Sequence, residues 1–161
     1  MVNLKIPPEH SSFRDKKWME AIAGQLGRLI VDQFGFVENT TLDTVASTTA
    51  ADLTGMSITV TVETGDLVFL IGNAAFSVST MVDGAYHNFT DGTTAYANTS
   101  LLIVPPTAGT TGRLQSKTIF ALVSSPAIGS VTYKMQHRRS GGSATVYTRE
   151  KQMSVIVFRQ S

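Results

Sequence analysis

The chain has 161 residues, 42% of them hydrophobic, with Lys+Arg 13 against Asp+Glu 12 for a formal charge of +1. That is enough for one well-buried β-domain, too apolar for disorder and too evenly charged to steer nucleic acid or an anionic membrane. The absence of cysteine removes disulfides, thiolate metal sites and cysteine nucleophiles together, and no apolar run is long enough to span a membrane.

In chain order, residues 1–10 read as an extended arm. Pro7 and Pro8 fix two φ angles and bias Ile6 towards extended backbone. Ser12 to Phe34 then predicts one α-helix. Ser12 is placed to accept the backbone N–H of Asp15, whose carboxylate favours the first turn. Trp18, Ile22, Leu26, Leu29 and Ile30 recur at helical spacing among Arg14, Lys16, Lys17, Glu20, Arg28 and Asp32. Gly35 follows where a left-handed C-terminal residue belongs. Met19, Ile22, Leu26, Leu29, Gln33 and Phe36 also fit an a/d register. Two heptads are too few to establish a coiled coil, and Gly24 and Gly27 each cost about 1 kcal/mol against Ala. The apolar stripe therefore has three open destinations: the chain's own sheet, a bundle with other copies, or a groove on another protein. The arm carries Val2, Leu4 and Ile6, too little apolar surface to dock on its own domain. Ordering it costs about 1–2 kcal/mol per residue, so a neighbouring chain is expected to hold it, with Trp18 packing beneath.

The texture changes near Phe36, which sets the expected division: arm and anchoring helix over 1–36, β-sandwich over 37–161. Met56, Ile58, Val60 and Val62 alternate with Ser57, Thr59 and Thr61, as in a half-buried strand. Leu67 to Ile71 is continuously apolar, which predicts cover on both faces. Phe76, Val78 and Thr80 begin another strand, and Asp83-Gly84 predicts a tight hairpin between Met81-Val82 and Ala85-Tyr86. Tyr86 to Thr90, a run containing Tyr96, and Leu101 to Val104 follow; Pro105-Pro106 and Gly109 to Gly112 interrupt. Ile119, Ala121 and Val123 alternate again. Val131, Tyr133, Met135 and His137 share one strand face before a Ser140-Gly141-Gly142-Ser143 turn, a return over Ala144 to Tyr147, and a last strand from Met153 to Phe158. That last strand has a single polar residue, Ser154, and is expected either centrally in a sheet or at a subunit interface. Eight to ten short strands at even spacing read as an antiparallel β-sandwich, jelly-roll-like.

No chemistry-bearing motif stands out. His10, His87 and His137 lack metal-ligand spacing, and the Asp-Gly pairs at Asp83 and Asp91 are first of all turn dipeptides. There is no Gly-x-Ser-x-Gly elbow and no phosphate loop. No cofactor, metal or catalytic residue is expected. The residues best suited to recognition are Tyr86, His87, Asn88, Phe89, Tyr96 and Asn98, an aromatic and amide cluster that can stack on sugars or anchor a protein; Tyr86 and Phe89 can equally pack into the core. Arg138 and Arg139 add a basic patch at a hairpin end.

The ending Val131 to Val146 with Met153 to Phe158, and the arm and helix from Ile6-Pro7-Pro8 to Leu29, resemble the C-terminal hairpin and the anchoring segments of small β-sandwich proteins of tailed-phage virions. A similar trimeric jelly roll occurs in tumour-necrosis-factor-like heads, whose cellular function is not implied. The resemblance implies a non-enzymatic virion protein, a homotrimer that anchors through its arm and helix and displays the sandwich for attachment, as a tail fibre, collar spike or head fibre. Its implied partners are further copies, other virion proteins and a host glycan or receptor. A capsid decoration protein of the same build is the alternative, and a carbohydrate-binding module is the alternative of another class. The opening residues lack the basic and apolar regions of a signal peptide, so synthesis in the host cytoplasm is expected.

Overall fold

A computed structural model describes residues 29–79, 84–101, 115–143 and 145–160. The expected arm and most of the expected helix lie outside these residues, and with them Val2, Leu4, Ile6, Trp18, Met19, Ile22 and Leu26. Nine strands run in chain order: β1 Leu29–Asn39, β2 Asp43–Val45, β3 Ala51–Val62, β4 Leu67–Val78, β5 Ala85–Thr90, β6 Ala95–Leu101, β7 Gln115–Val123, β8 Gly129–Arg139 and β9 Val146–Gln160. They form two antiparallel sheets. One has the order β1-β9-β4-β7, with β2 also on β9; the other has the order β3-β8-β5-β6. The core fills the space between them: Val68, Leu70, Met153, Val155 and Val157 from the first sheet meet Met56, Ile58, Phe89, Tyr133 and Met135 from the second. A smaller cluster of Val45, Phe76, Val78, Ala85 and Val146 closes one end.

The sequence expectation of helix up to Phe34 is corrected here. Leu29 to Phe34 belong to β1, and the strand runs on through Phe36 to Asn39, paired with β9 from Leu29↔Gln160 to Asn39↔Lys151. Leu29, assigned by its spacing to an anchoring helix face, is the first residue of that strand. The cause is tertiary. Pairing with β9 along almost the whole of β1 outweighs a helical spacing that Ile30 and Val31, both β-branched, support only weakly. Gln33 then ties β1 to the other sheet: its amide N–H donates to the Thr61 carbonyl at 2.7 Å, and its side-chain oxygen accepts the Thr61 N–H at 3.0 Å. Two residues on, Gly35 sits directly against Ile58 of β3.

Three connections also differ from expectation. Met81, Val82 and Asp83 of the expected hairpin lie outside the described residues; Ala85 and Tyr86 on its other side pair with β6 and β8, and β4 and β5 lie in different sheets. The two-strand hairpin is β5–β6, at Asp91-Gly92, where Gly92 has φ 93° and the Asp91 carboxylate accepts the N–H groups of Thr93 and Thr94. The Ser140 to Ser143 turn likewise carries the chain from one sheet to the other. Beyond it, the expected pair of strands is one continuous β9, bulged where Glu150 adopts φ 51° and Lys151 turns inward. Arg149-Glu150-Lys151 lies between the two expected strands, a charge run that interrupts the apolar alternation. In the fold, the Lys151 ammonium donates to the Asp43 carboxylate and to the Thr41 carbonyl, so the charge is held within the strand.

A Cβ at position 35 has no space against the branched Ile58 side chain. Gly35→Ala is expected to lower stability by about 1–3 kcal/mol in urea unfolding. Gly141→Ala, which meets nothing within 4 Å, should stay within about 0.5 kcal/mol of wild type. Equal effects at the two positions would contradict the close approach of β1 to β3.

Candidate functional site

The two sheets present opposite outer faces. On β1-β9-β4-β7 the register builds three apolar rows: Val31–Phe158–Leu67, then Phe34–Ile156–Phe69–Leu122, then Phe36–Ser154–Ile71–Phe120. A polar row, Glu38–Gln152–Asn73–Thr118, ends the patch. Phe34 is 65% exposed, Phe36 50%, Phe120 68% and Leu122 61%, while Phe69, Ile71, Ile156 and Phe158 are half-buried among them. Phe69 and Phe120 rings lie 6.4 Å apart and tilted. This sheet is therefore apolar on both sides, a pattern proper to sheets covered on both faces. At one end Arg159 gathers Asp32 at 3.1 Å, Glu63 at 3.2 Å and Asp66 at 3.4 Å.

The outer face of β3-β8-β5-β6 is polar. Asp52 accepts from Lys134 Nζ and Gln136 Nε2, both at 2.7 Å, and Gln136 Oε1 accepts from Asn88 at 3.1 Å. The Asp52 carboxyl is held below the usual range chiefly by Lys134, against a smaller opposing effect of burial. Arg138 lies 4.2 Å above the Tyr86 ring. Thr59 and Thr132 hydroxyls pair at 2.7 Å.

The recognition cluster expected from sequence is thus divided between outside and inside. Tyr86, Asn88 and Arg138 lie on the polar face, with Asn88 only 3% exposed beneath its neighbours. His87 faces the interior and is 2% exposed, so it is not presented to a partner. Tyr96 also turns inward, its ring 6.2 Å from Tyr133 and its hydroxyl donating to Asp91 at 2.6 Å. Asn98 lies in β6, and Arg139 ends β8 half-buried. The residues that sequence reasoning left out are Phe34, Phe120 and Leu122, while Phe36 is placed by its spacing on a helical stripe rather than on this strand face. Their signal was available: Phe120 and Leu122 occupy the phase of the β7 alternation where polar residues belong.

The buried polar groups are structural in geometry. His87 and His137 oppose each other across β5 and β8, and both reach the Thr148 hydroxyl, His137 Nδ1 at 2.9 Å and His87 Nε2 at 3.4 Å. A hydroxyl has one proton to give, so the two imidazoles fit best as one donor and one acceptor, both neutral. Burial lowers the His87 pKa to about 3, with His137 and Lys117 adding repulsion; burial also lowers His137 to about 4, partly opposed by Asp43 and reinforced by Lys151. Asp43 would be raised by burial, but its hydrogen bonds from Lys151 and Thr54 outweigh that and lower it. Among the described residues no group of three or more His, Asp or Glu is arranged to hold a metal ion. A shallow hollow is lined by Glu38, Asn39, Thr40, Glu150, Lys151 and Gln152.

No protein-family model and no curated protein matches the chain. Solved structures are similar in fold. Eiger TNF from S. frugiperda is similar over 83% of this chain and 95% of its own, at 10% identity and a TM-score of 0.45. A T=1 particle derived from infectious bursal virus is similar over 81% of this chain and 36% of its own, at 8% identity and a TM-score of 0.47. The CBM22-1 xylan-binding domain of Paenibacillus barcinonensis Xyn10C covers 76% of this chain and 86% of its own, at 11% identity and a TM-score of 0.28. These are likenesses of β architecture alone, and no function is drawn from them.

The buried histidines set an acid limit. Their folded pKa values lie below the unfolded value of 6.5, so their contribution is complete above pH 6.5. Below it the unfolded chain binds protons that the folded chain refuses, and each histidine costs about 1.4 kcal/mol per pH unit. The urea midpoint should fall between pH 6.5 and 4.5. His137→Gln should reduce that slope by about half, whatever its effect at pH 7. An unchanged slope would contradict the buried neutral pair.

Proposed function

We propose that this chain is a non-enzymatic structural protein of a tailed-phage virion, working as a homotrimeric fibre or spike. Its arm and helix anchor it, and its sandwich is displayed for attachment. The observation that carries this reading is the β1-β9-β4-β7 sheet, apolar on both faces. A solvated monomer rarely shows so large a contiguous apolar patch, whereas a subunit of an assembly needs one. With the short β2 set aside, the strand order is that of a jelly roll, a rigid display domain common in viral capsids. The near-neutral charge of +1 suits dense packing of copies in a particle. Capsid decoration by the same architecture remains the closest variant of the reading; an arm stiffened by Pro7-Pro8 ahead of the domain suits a tether better than a flat cement.

A carbohydrate-binding module is the reading of another class. It is favoured by Tyr86 with Arg138 beside the Asn88–Gln136–Asp52 ladder, a polar face able to hydrogen-bond sugar hydroxyls. Glycan-array binding by a monomer, lost in Tyr86→Ala, would favour it.

Light scattering of the purified chain tests the leading reading: a mass of three chains is expected at micromolar concentration, and a single-chain mass would remove the trimer. Deleting residues 1–10 should leave the thermal midpoint nearly unchanged while abolishing incorporation into particles. Normal occupancy of the truncated protein would show that the arm is not the anchor.

A further inference from the structure

We infer that the outer face of the β1-β9-β4-β7 sheet is where copies of this chain meet, so that the occupant of the Phe34–Ile156–Phe69–Leu122 and Phe36–Ser154–Ile71–Phe120 rows is a second copy. This rests on the reading of the chain as an assembly subunit and names the surface and the partner. It also moves the main subunit contact from the arm and helix to the sandwich itself.

Area and charge both argue for a second copy. Taking Phe, Leu and Val at ordinary side-chain areas, the exposed parts of Val31, Phe34, Phe36, Phe120 and Leu122, with the half-buried residues between them, offer on the order of 600 Å² of apolar surface. A standard specific interface buries about 800 Å² per partner, so this face with its rim is the size of one side of a stable contact. The three apolar rows contain no charged side chain, and their one polar residue is Ser154. A charged or hydrogen-bonding partner would find almost nothing to pair with. The surface of matching chemistry is the same face of another molecule.

The rival cover is the chain's own amino-terminal segment, which enters β1 at Leu29 beside this face. It fits poorly. The axes of the outer strands β1 and β7 stand about 14 Å apart at normal strand spacing, while one helix covers a strip about 10 Å wide. Between residues 12 and 28 the apolar side chains at helical spacing are chiefly Trp18, Ile22 and Leu26, set among Arg14, Lys16, Lys17, Glu20 and Arg28. Even with Phe13 and Met19 added, so few side chains cannot cover a face that presents ten large apolar residues.

The test uses the intact chain and the double substitution Phe120→Thr with Leu122→Thr. Both positions are exposed and Thr suits a strand, so the fold should survive; the single Leu122→Thr serves if the pair does not fold. The solution mass is read by light scattering, the fold by urea midpoint and the amino-terminal segment by emission of Trp18, the sole tryptophan. The expected result is an oligomeric wild type and a variant that runs as a single chain, or dissociates at least tenfold more readily, with its urea midpoint measured below the association range unchanged. A wild-type oligomer whose mass ignores the substitutions overturns this inference and leaves the assembly reading standing. A wild-type single chain whose Trp18 emission shifts to the red in the variant makes the amino-terminal segment the cover and also overturns it. A wild-type single chain with no shift overturns both the inference and the trimer.

Discussion

The fold depends on covering β9 twice. It runs between β1 and β4 in the middle of its sheet, and its alternate residues Met153, Val155 and Val157 are almost wholly buried in the core. Ile156 and Phe158 point the other way, into the face shared with Phe34, Phe69 and Leu122. Each large side chain moved from water into an apolar contact is worth about 1.5–3 kcal/mol, so the inner face holds the sandwich together and the outer face is a comparable reserve of unspent burial. In a domain without disulfides, that reserve is the natural source of extra stability on assembly.

The polar interior is arranged around the same strand. Lys151, with no exposed surface, is tolerated because the Asp43 carboxylate and the Thr41 carbonyl accept its hydrogen bonds; removing one partner of such a pair leaves a buried charge uncompensated, at a cost of about 3–5 kcal/mol. Thr148, three residues earlier, serves His87 and His137. The bulge at Glu150 lets both arrangements coexist in one strand, turning Lys151 inward while restoring the alternation by Met153. Arg159 at the far end binds β1 through Asp32 and the β3–β4 turn through Glu63 and Asp66. The first sheet is thus pinned at both ends by charges that are not part of its apolar outer face.

Alternation made the β-sandwich legible. Met56 to Val62, Ile119 to Val123 and Val131 to His137 show in sequence the period-two burial found in β3, β7 and β8. The continuous runs at Leu67 to Ile71 and Met153 to Phe158 announced a sheet needing cover on two sides, and both belong to it. What local pattern cannot carry is the choice of partner. Leu29 to Phe34 satisfies helical spacing as well as strand alternation, and only the register with β9 decides between them. Asp83-Gly84 and Asp91-Gly92 are the same dipeptide in sequence; among the described strands the second joins the paired β5 and β6, while the strands before and after the first, β4 and β5, belong to different sheets. Tyr86 and Tyr96 were grouped as neighbours in sequence, yet the pleat places one ring outside and the other against Tyr133.

Side-chain footprinting with hydroxyl radicals, read by mass spectrometry on the intact chain, tests the covered face most directly. Phe89, with no exposed surface, sets the protected baseline, and Ile128, 69% exposed in the β7–β8 connection, sets the open one. At high concentration Phe34 and Phe120 should label near the Phe89 level, rising towards the Ile128 level on dilution. Labelling of Phe34 and Phe120 at the open level at every concentration would mean that this face stands in water, and the account would be wrong.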